Sequence, residues 1–212
     1  MEFTSVQKLQ KTKKYQWKTA LFAFLLSVAP LGGKLLPFGV SFLCAVPKKE
    51  RKNAFLGALA GTLFDSSVPL AVFCVCFVFF VLRAKDKAGA VSAKTKILLA
   101  FSVAFLRASY LAVLGVTSAK DVFLIIASVL SFPLFTCLFS GYFDKRKAIR
   151  PKRYDASLVA LAFCLTLLFS GVKLFGISVA LIPASFFTLC AARTKGFAFG
   201  GVCGIICGLP CG

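Results

Sequence analysis

Histidine is absent from the chain, and with it go the usual neutral-pH general base, the commonest metal ligand and every Ser-His or Cys-His nucleophile pair. Acidic residues are scarce as well: seven Asp and Glu stand against 26 Lys and Arg, a net charge of +19. Charged residues make up only 16% of the chain and apolar ones 59%, against roughly 25% and ~45–50% in a soluble domain. These proportions exclude a conventional soluble globule and most hydrolase chemistry. Basic and apolar together, they point to a membrane protein. A bilayer core takes about 20 residues of helix per crossing, so the length allows at most about nine or ten crossings and leaves little for a soluble catalytic domain.

The nine cysteines are Cys44, Cys74, Cys76, Cys137, Cys164, Cys190, Cys203, Cys207 and Cys211. They are odd in number and sit almost wholly in apolar runs, where a thiol behaves as a small hydrophobe, so they are expected to be reduced and structural. Cys74-Val75-Cys76 lacks the two-residue spacer of a redox or zinc pair. Cys203, Cys207 and Cys211 recur at helical spacing, but no histidine or carboxylate is near enough in sequence to complete a metal site. No metal, cofactor or catalytic residue is therefore expected.

What is present is a series of apolar runs, at approximately 19–33, 35–46, 53–64, 67–82, 97–116, 122–143, 156–172, 175–192 and 197–211. They predict an all-α, polytopic integral membrane helical bundle of about 8–9 membrane segments. Residues 1–18 form a basic tail ending in Tyr15 and Trp17, an interfacial anchor, and residues 19–212 form the bundle, with its last span incomplete. The basic start followed by Ala20–Gly33 has the outline of a secretion signal, which the many later runs argue against. Runs 35–46 and 53–64 reach only about 18 Å at 1.5 Å per residue, so each is either re-entrant or thins the bilayer.

Charge placement sets the orientation. Basic residues cluster before the first run, at Lys48 to Lys52, at Arg83 to Lys96, at Lys145 to Arg153, and at Arg193 and Lys195; the alternate connectors hold only Lys34, Lys120 and Lys173. By the positive-inside rule the clusters face the cytoplasm, the N-terminus is cytoplasmic, and the runs pair as outward-and-back hairpins. Treating 19–46 or 53–82 as one span would put neighbouring basic connectors on opposite faces. Asp65-Ser66-Ser67, Thr117-Ser118-Ala119 and Gly171-Val172-Lys173 then become external turns. The densest basic stretch, Asp144–Arg153, has only Tyr142 and Tyr154 at its margins, too few aromatics for nucleic-acid binding, and attraction to anionic lipid is the expected role.

Within the runs, Arg107 is the one charge, costing about 2.5–3.5 kcal/mol at a bilayer centre on insertion scales. It is expected to face protein, water or a partner: either as a substrate or proton site with Asp65 as candidate counter-ion, or as a tie between helices through backbone carbonyls and Ser hydroxyls. Gly196, Gly200, Gly204, Gly208 and Gly212 recur every fourth residue, a bare helical face on which another helix can approach closely; Gly57 and Gly61 repeat the pattern. Such faces serve packing within the bundle or self-association. Pro30, Pro37, Pro69, Pro133 and Pro183 read as kinks, and no inverted repeat of the transporter kind is found.

Two passages carry a family resemblance. Leu36-Pro-Phe-Gly-Val-Ser-Phe-Leu-Cys-Ala-Val46, a basic turn and Ala54-Phe-Leu-Gly-Ala-Leu-Ala-Gly61 resemble the early membrane region of stage II sporulation protein E. Ala104-Phe-Leu-Arg107-Ala and Phe199-Gly-Gly-Val-Cys-Gly-Ile-Ile-Cys-Gly-Leu209 follow in matching order, so the resemblance covers nearly the whole chain. It implies a polytopic membrane region of the kind that family joins to a cytoplasmic serine/threonine phosphatase domain of the metal-dependent PP2C type. That domain acts on a phosphorylated anti-anti-sigma factor and so releases the forespore sigma factor at the polar septum. No phosphatase motif lies among the seven carboxylates, so no catalytic residue carries over and the product looks like a truncated member or the amino-terminal membrane portion of one. The expected function is a non-enzymatic anchor and localisation module of the bacterial plasma membrane, whose basic loops meet anionic lipid or division proteins. The alternative is a membrane transporter subunit resembling the substrate-binding subunit of a vitamin importer, with Arg107 binding an anionic group.

Overall fold

The computed structural model describes residues 17–29, 37–64, 68–88, 91–113, 119–143, 151–174 and 177–211. Among them are nine α-helices, one for each apolar run. They are α1 (Trp17–Val28), α2 (Pro37–Ala45), α3 (Arg51–Thr62), α4 (Val68–Ala88), α5 (Ala93–Val113), α6 (Ala119–Tyr142), α7 (Pro151–Phe169), α8 (Leu181–Lys195) and α9 (Phe197–Gly208). The fold is all-α apart from one small ribbon: β1 (Lys173–Leu174) pairs antiparallel with β2 (Ile177–Ser178). That ribbon takes the front of the run expected at 175–192, where β-branched Val172, Ile177 and Val179 surround two glycines. The helix begins only at Leu181 and continues through Arg193 and Lys195.

Length sorts the helices. Two among the described residues are long and apolar enough to cross a membrane, Val68–Lys87 in α4 and Ile125–Tyr142 in α6. These are the two helices of full crossing length among the described residues. The α5 helix has 21 residues but carries Lys94, Lys96 and Arg107, and the apolar stretches Trp17–Val28, Tyr154–Phe169 and Phe197–Gly208 are shorter. With 9 and 12 residues, α2 and α3 rise only about 14 and 18 Å.

The shortness of α2 has a packing counterpart. Residues Phe38 to Val46 are all buried, and α2 lies among α3, α4, α5 and α6. It runs parallel to α6: Phe38 meets Phe135 edge to face at 4.6 Å and Phe42 meets Phe139 at 5.8 Å. Ser41 Oγ donates to the Phe132 carbonyl at 2.9 Å, and Thr136 Oγ1 donates back to the Ser41 carbonyl at 3.5 Å. A helix walled by protein does not need the length that a lipid-facing helix needs.

The prolines mostly begin helices and do not bend them. Pro37 and Pro151 are first residues, and Pro69 and Pro183 fall within first turns, where the missing N–H has no intrahelical partner to lose. Among the described residues Pro133 alone lies inside a helix, and Pro30 lies outside them.

Candidate functional site

Among the described residues, the basic connectors around Lys48–Lys52, Arg83–Lys87 and Lys94–Lys96 come together at one end of the bundle. After α2, a turn closed by Glu50 N–H donating to the Pro47 carbonyl at 3.0 Å leads straight into α3, whose first residue is Arg51. This guanidinium is buried and pairs with the Asp86 carboxylate near the end of α4; the two side chains are 5% and 10% exposed. It also donates to the carbonyls of Leu82 and Val46, each at 3.4 Å. Lys48 Nζ donates to the Asp86 carbonyl at 3.1 Å, and Lys96 Nζ, from the first turn of α5, to the Ala45 carbonyl at 3.0 Å. Three of these carbonyls, Ala45 and Val46 at the end of α2 and Asp86 in the last turn of α4, stand where helical partners run out and the helix dipole favours cations, while Leu82 lies a turn further back. Three basic residues of this end therefore serve as caps. Thr19 Oγ1, donating to the Glu50 carboxylate at 2.7 Å, adds the start of α1.

The burial has an electrostatic consequence. Desolvation, ahead of the repulsion from Arg51, pulls the Lys96 ammonium below its ordinary lysine value, and desolvation likewise lowers Arg51. The folded protein holds the Lys96 proton less tightly than the unfolded chain does. Its contribution is least favourable below the lowered value and rises with pH toward the ordinary 10.5, because over that window the unfolded chain binds more protons. The difference in unfolding temperature between wild type and Lys96→Met, measured in detergent, should shift in favour of wild type as pH rises toward 10.5; a difference that does not change with pH refutes the assignment.

Six cations of the same connectors, Lys49, Lys52, Arg83, Lys85, Lys87 and Lys94, remain exposed. Further helix ends join them. Phe42 lies 5.6 Å from Phe143 just past α6, Tyr142 stacks on Tyr154 at 6.0 Å, and Ser157 at the start of α7 donates to the Leu138 carbonyl. Lys195 Nζ, at the end of α8, stands 3.2 Å from Asp155 Oδ2. The ends of α2, α4, α6 and α8 and the starts of α1, α3, α5 and α7 are thus tied by contacts into one polar rim.

The glycines expected to pack are distributed unequally. A Cβ at Gly57 would stand 2.0 Å from the Ala20 carbonyl oxygen, and one at Gly61 2.4 Å from Ser27 Cβ, so α1 and α3 touch backbone to backbone. Gly200 faces Ala192 at 2.5 Å and Gly204 faces Thr188 at 3.2 Å across the α8–α9 pair. Gly196 is the bend between those helices, with φ of 91°, and no described atom lies within 4 Å of a Cβ placed there or at Gly208. Arg107 is 3% exposed, on the buried stripe of α5 with Val103, Ala104 and Ala108. Asp65, the tail 1–16, Gly212, the side chain of Cys211 and the side chains of Lys145 to Arg153 lie outside the described residues. Sequence reasoning missed the Arg51–Asp86 pair and Gly39, whose Cβ position is filled by the Ser27 hydroxyl. The available signal was Asp86 itself, a lone carboxylate in Arg83-Ala-Lys-Asp-Lys87.

The eight cysteines described, Cys44, Cys74, Cys76, Cys137, Cys164, Cys190, Cys203 and Cys207, form no disulfide with one another, and no group of three or more His, Cys, Asp or Glu is placed to hold a metal ion among the described residues. The family model for the SpoIIE N-terminal domain matches residues 2–210. The chain belongs to that family. No curated protein and no solved structure matches it. The matched region is the family's membrane region and not its phosphatase domain.

Proposed function

We propose that the chain is a membrane anchor and localisation module for a sporulation phosphatase of the SpoIIE kind, acting at the polar septum. The family match over residues 2–210 carries this reading. The gathering of basic helix ends on one rim supports a cytoplasmic placement for that rim, with the helices leaving it in outward-and-back pairs through the plasma membrane. On this reading α1, α5, α7, α8 and α9 cross beside α4 and α6, with local thinning or tilt taking up the shorter lengths. Lys49, Lys52, Lys85, Lys87 and Lys94 then meet anionic lipid or acidic faces of division proteins, at about 1 kcal/mol for each basic residue near a charged surface. The transporter alternative draws no support from the family match.

A fluorescent fusion in a sporulating host tests the proposal. Enrichment at the polar septum is expected, and replacing those five lysines by glutamine should spread the signal around the cell periphery while leaving the protein in the membrane fraction. Uniform membrane signal from the wild-type fusion throughout septation removes the localisation role. Reporter tags after Lys52 and after Lys195 should both register the cytoplasm; opposite compartments would break the proposed topology.

A further inference from the structure

The packed core of the bundle stops at α7. Among the described residues its buried apolar side chains come from α1 through α7, the last of them Ala160, Leu161 and Cys164, and none comes from α8 or α9. Those two helices hold to each other instead. Gly200 brings α9 against Ala192 of α8, and Gly204 brings it against Thr188. Small residues of this kind let two backbones approach, so van der Waals contact binds the pair.

The pair meets α7 unevenly. Toward the ribbon that links α7 to α8, Ala162, Ala184 and Cys207 form a small buried cluster with Phe187 beside it. Toward the rim the helices stand apart. A hollow of about 370 Å³ opens between α7 and the α8–α9 pair, walled by Leu158, Ala191 and Cys203. Another, of about 540 Å³, opens where α6 and α7 face α9, walled by Leu138, Phe163 and Val202. Packed interiors leave few voids larger than a water molecule, so hollows of this size mark a seam. At the rim the seam is bridged by Asp155 of α7 and Lys195 at the end of α8, 3.2 Å apart, with side chains 17% and 45% exposed. An ion pair so open to water holds weakly and yields to salt.

We propose that α8 and α9 swing as one unit against α7, hinged at the ribbon and latched at the rim by the Asp155–Lys195 pair. The arrangement described above is the latched one. Opening breaks one partly exposed ion pair and loosens three small side chains, while the core of α1 to α7 and the α8–α9 contact stay whole. A segment held by so few buried contacts opens at a fraction of the cost of global unfolding. The last turn of α8 carries exposed Arg193 and Lys195, so the motion moves two cations relative to the rest of the rim. It depends on packing and not on septal placement.

Site-resolved thiol labelling of the full chain in mild detergent is the test. The protein is exposed to N-ethylmaleimide for timed intervals, and modification of each cysteine is read by peptide mass spectrometry. Cys203 is buried at the seam, whereas Cys44 and Cys74 are buried in the core of α1 to α7. Lys195→Gln should speed labelling of Cys203 by about two- to fivefold, the worth of a partly exposed ion pair, and leave Cys44 and Cys74 unchanged. Wild type moved from about 0.1 M to about 1 M salt, where the screening length falls from about 10 Å to about 3 Å, should show the same acceleration, and Lys195→Gln should show none. That comparison on wild type requires no variant to fold. In Thr188→Cys, the new thiol lies in the α8–α9 contact and should label at the same rate with and without the latch. Cys203 not accelerated in Lys195→Gln, or not accelerated in wild type by salt, overturns the latch. Equal acceleration at Cys44 and Cys74 means general loosening, acceleration in Thr188→Cys means α9 leaving α8, and either overturns the proposal.

Discussion

Replacing Arg51 with alanine is expected to destabilise the protein by about 3–5 kcal/mol, the cost of leaving one partner of a buried ion pair without its counter-charge. Asp86 would keep its carboxylate at 10% exposure with its guanidinium gone, and the Leu82 and Val46 carbonyls would each lose a donor. The loss should appear as a lower denaturant midpoint in detergent, and as poor accumulation in cells. A second measurement separates the pair's role from its burial cost. Because desolvating two charges offsets much of their attraction, the double variant Arg51→Leu with Asp86→Leu should recover most of the loss. Equal damage in the single and double variants would show that the carbonyl caps, and not the ion pair, carry the effect. Lys49→Ala, an exposed neighbour in the same connector, should shift stability by no more than about 0.5 kcal/mol.

Gly57→Ala is the second large effect, and its sign is diagnostic. In a helix interior, alanine normally stabilises relative to glycine by about 0.5–1 kcal/mol. At Gly57 the new methyl would sit 2.0 Å from the Ala20 carbonyl oxygen, a backbone atom that cannot rotate away, so α1 must move off α3. Overpacking of this kind costs about 1–3 kcal/mol, and the shift would propagate to the Thr19–Glu50 hydrogen bond at the rim. Gly201→Ala is the matched control, since no described atom lies within 4 Å of its Cβ position; it should be neutral or gain up to about 1 kcal/mol. Unfolding midpoints in the same detergent decide it: if both substitutions stabilise, α1 and α3 are not in backbone contact.

These two predictions differ in how far the sequence anticipated them. Gly57 and Gly61 stand four apart in an apolar helix, a pattern that announces a close helix contact, although it does not name α1 as the partner. Arg51 was visible only as one of four basic residues in a connector. Nothing in Lys48-Lys-Glu-Arg-Lys52 distinguishes the residue that turns inward from those that face out, because that choice depends on where the end of α4 lands. The glycine pattern from Gly196 onward shows the opposite limit. It reads as one regular face, yet Gly196 is the bend, Gly200 and Gly204 take the contact with α8, and Gly208 faces none of the described atoms. Regular spacing establishes that a face exists, and the length of the opposing helix decides how much of it is used.

Composition and periodicity alone determined the all-α class, the placement and order of the helices among the described residues and the exclusion of histidine-based chemistry, and the passages from Leu36–Val46 to Phe199–Leu209 carried the resemblance that the family match established. Each follows from local quantities: apolar run length, residue type and charge count along the chain. Tertiary structure alone decided that α2 is a short helix enclosed by its neighbours, that three cations cap helix ends while six stay exposed, and that Lys195 at the end of α8 pairs with Asp155 on α7. Those outcomes depend on which helix ends meet in space. Burial, pairing and cavities are properties of residues distant in sequence, and a one-dimensional pattern carries no term for them.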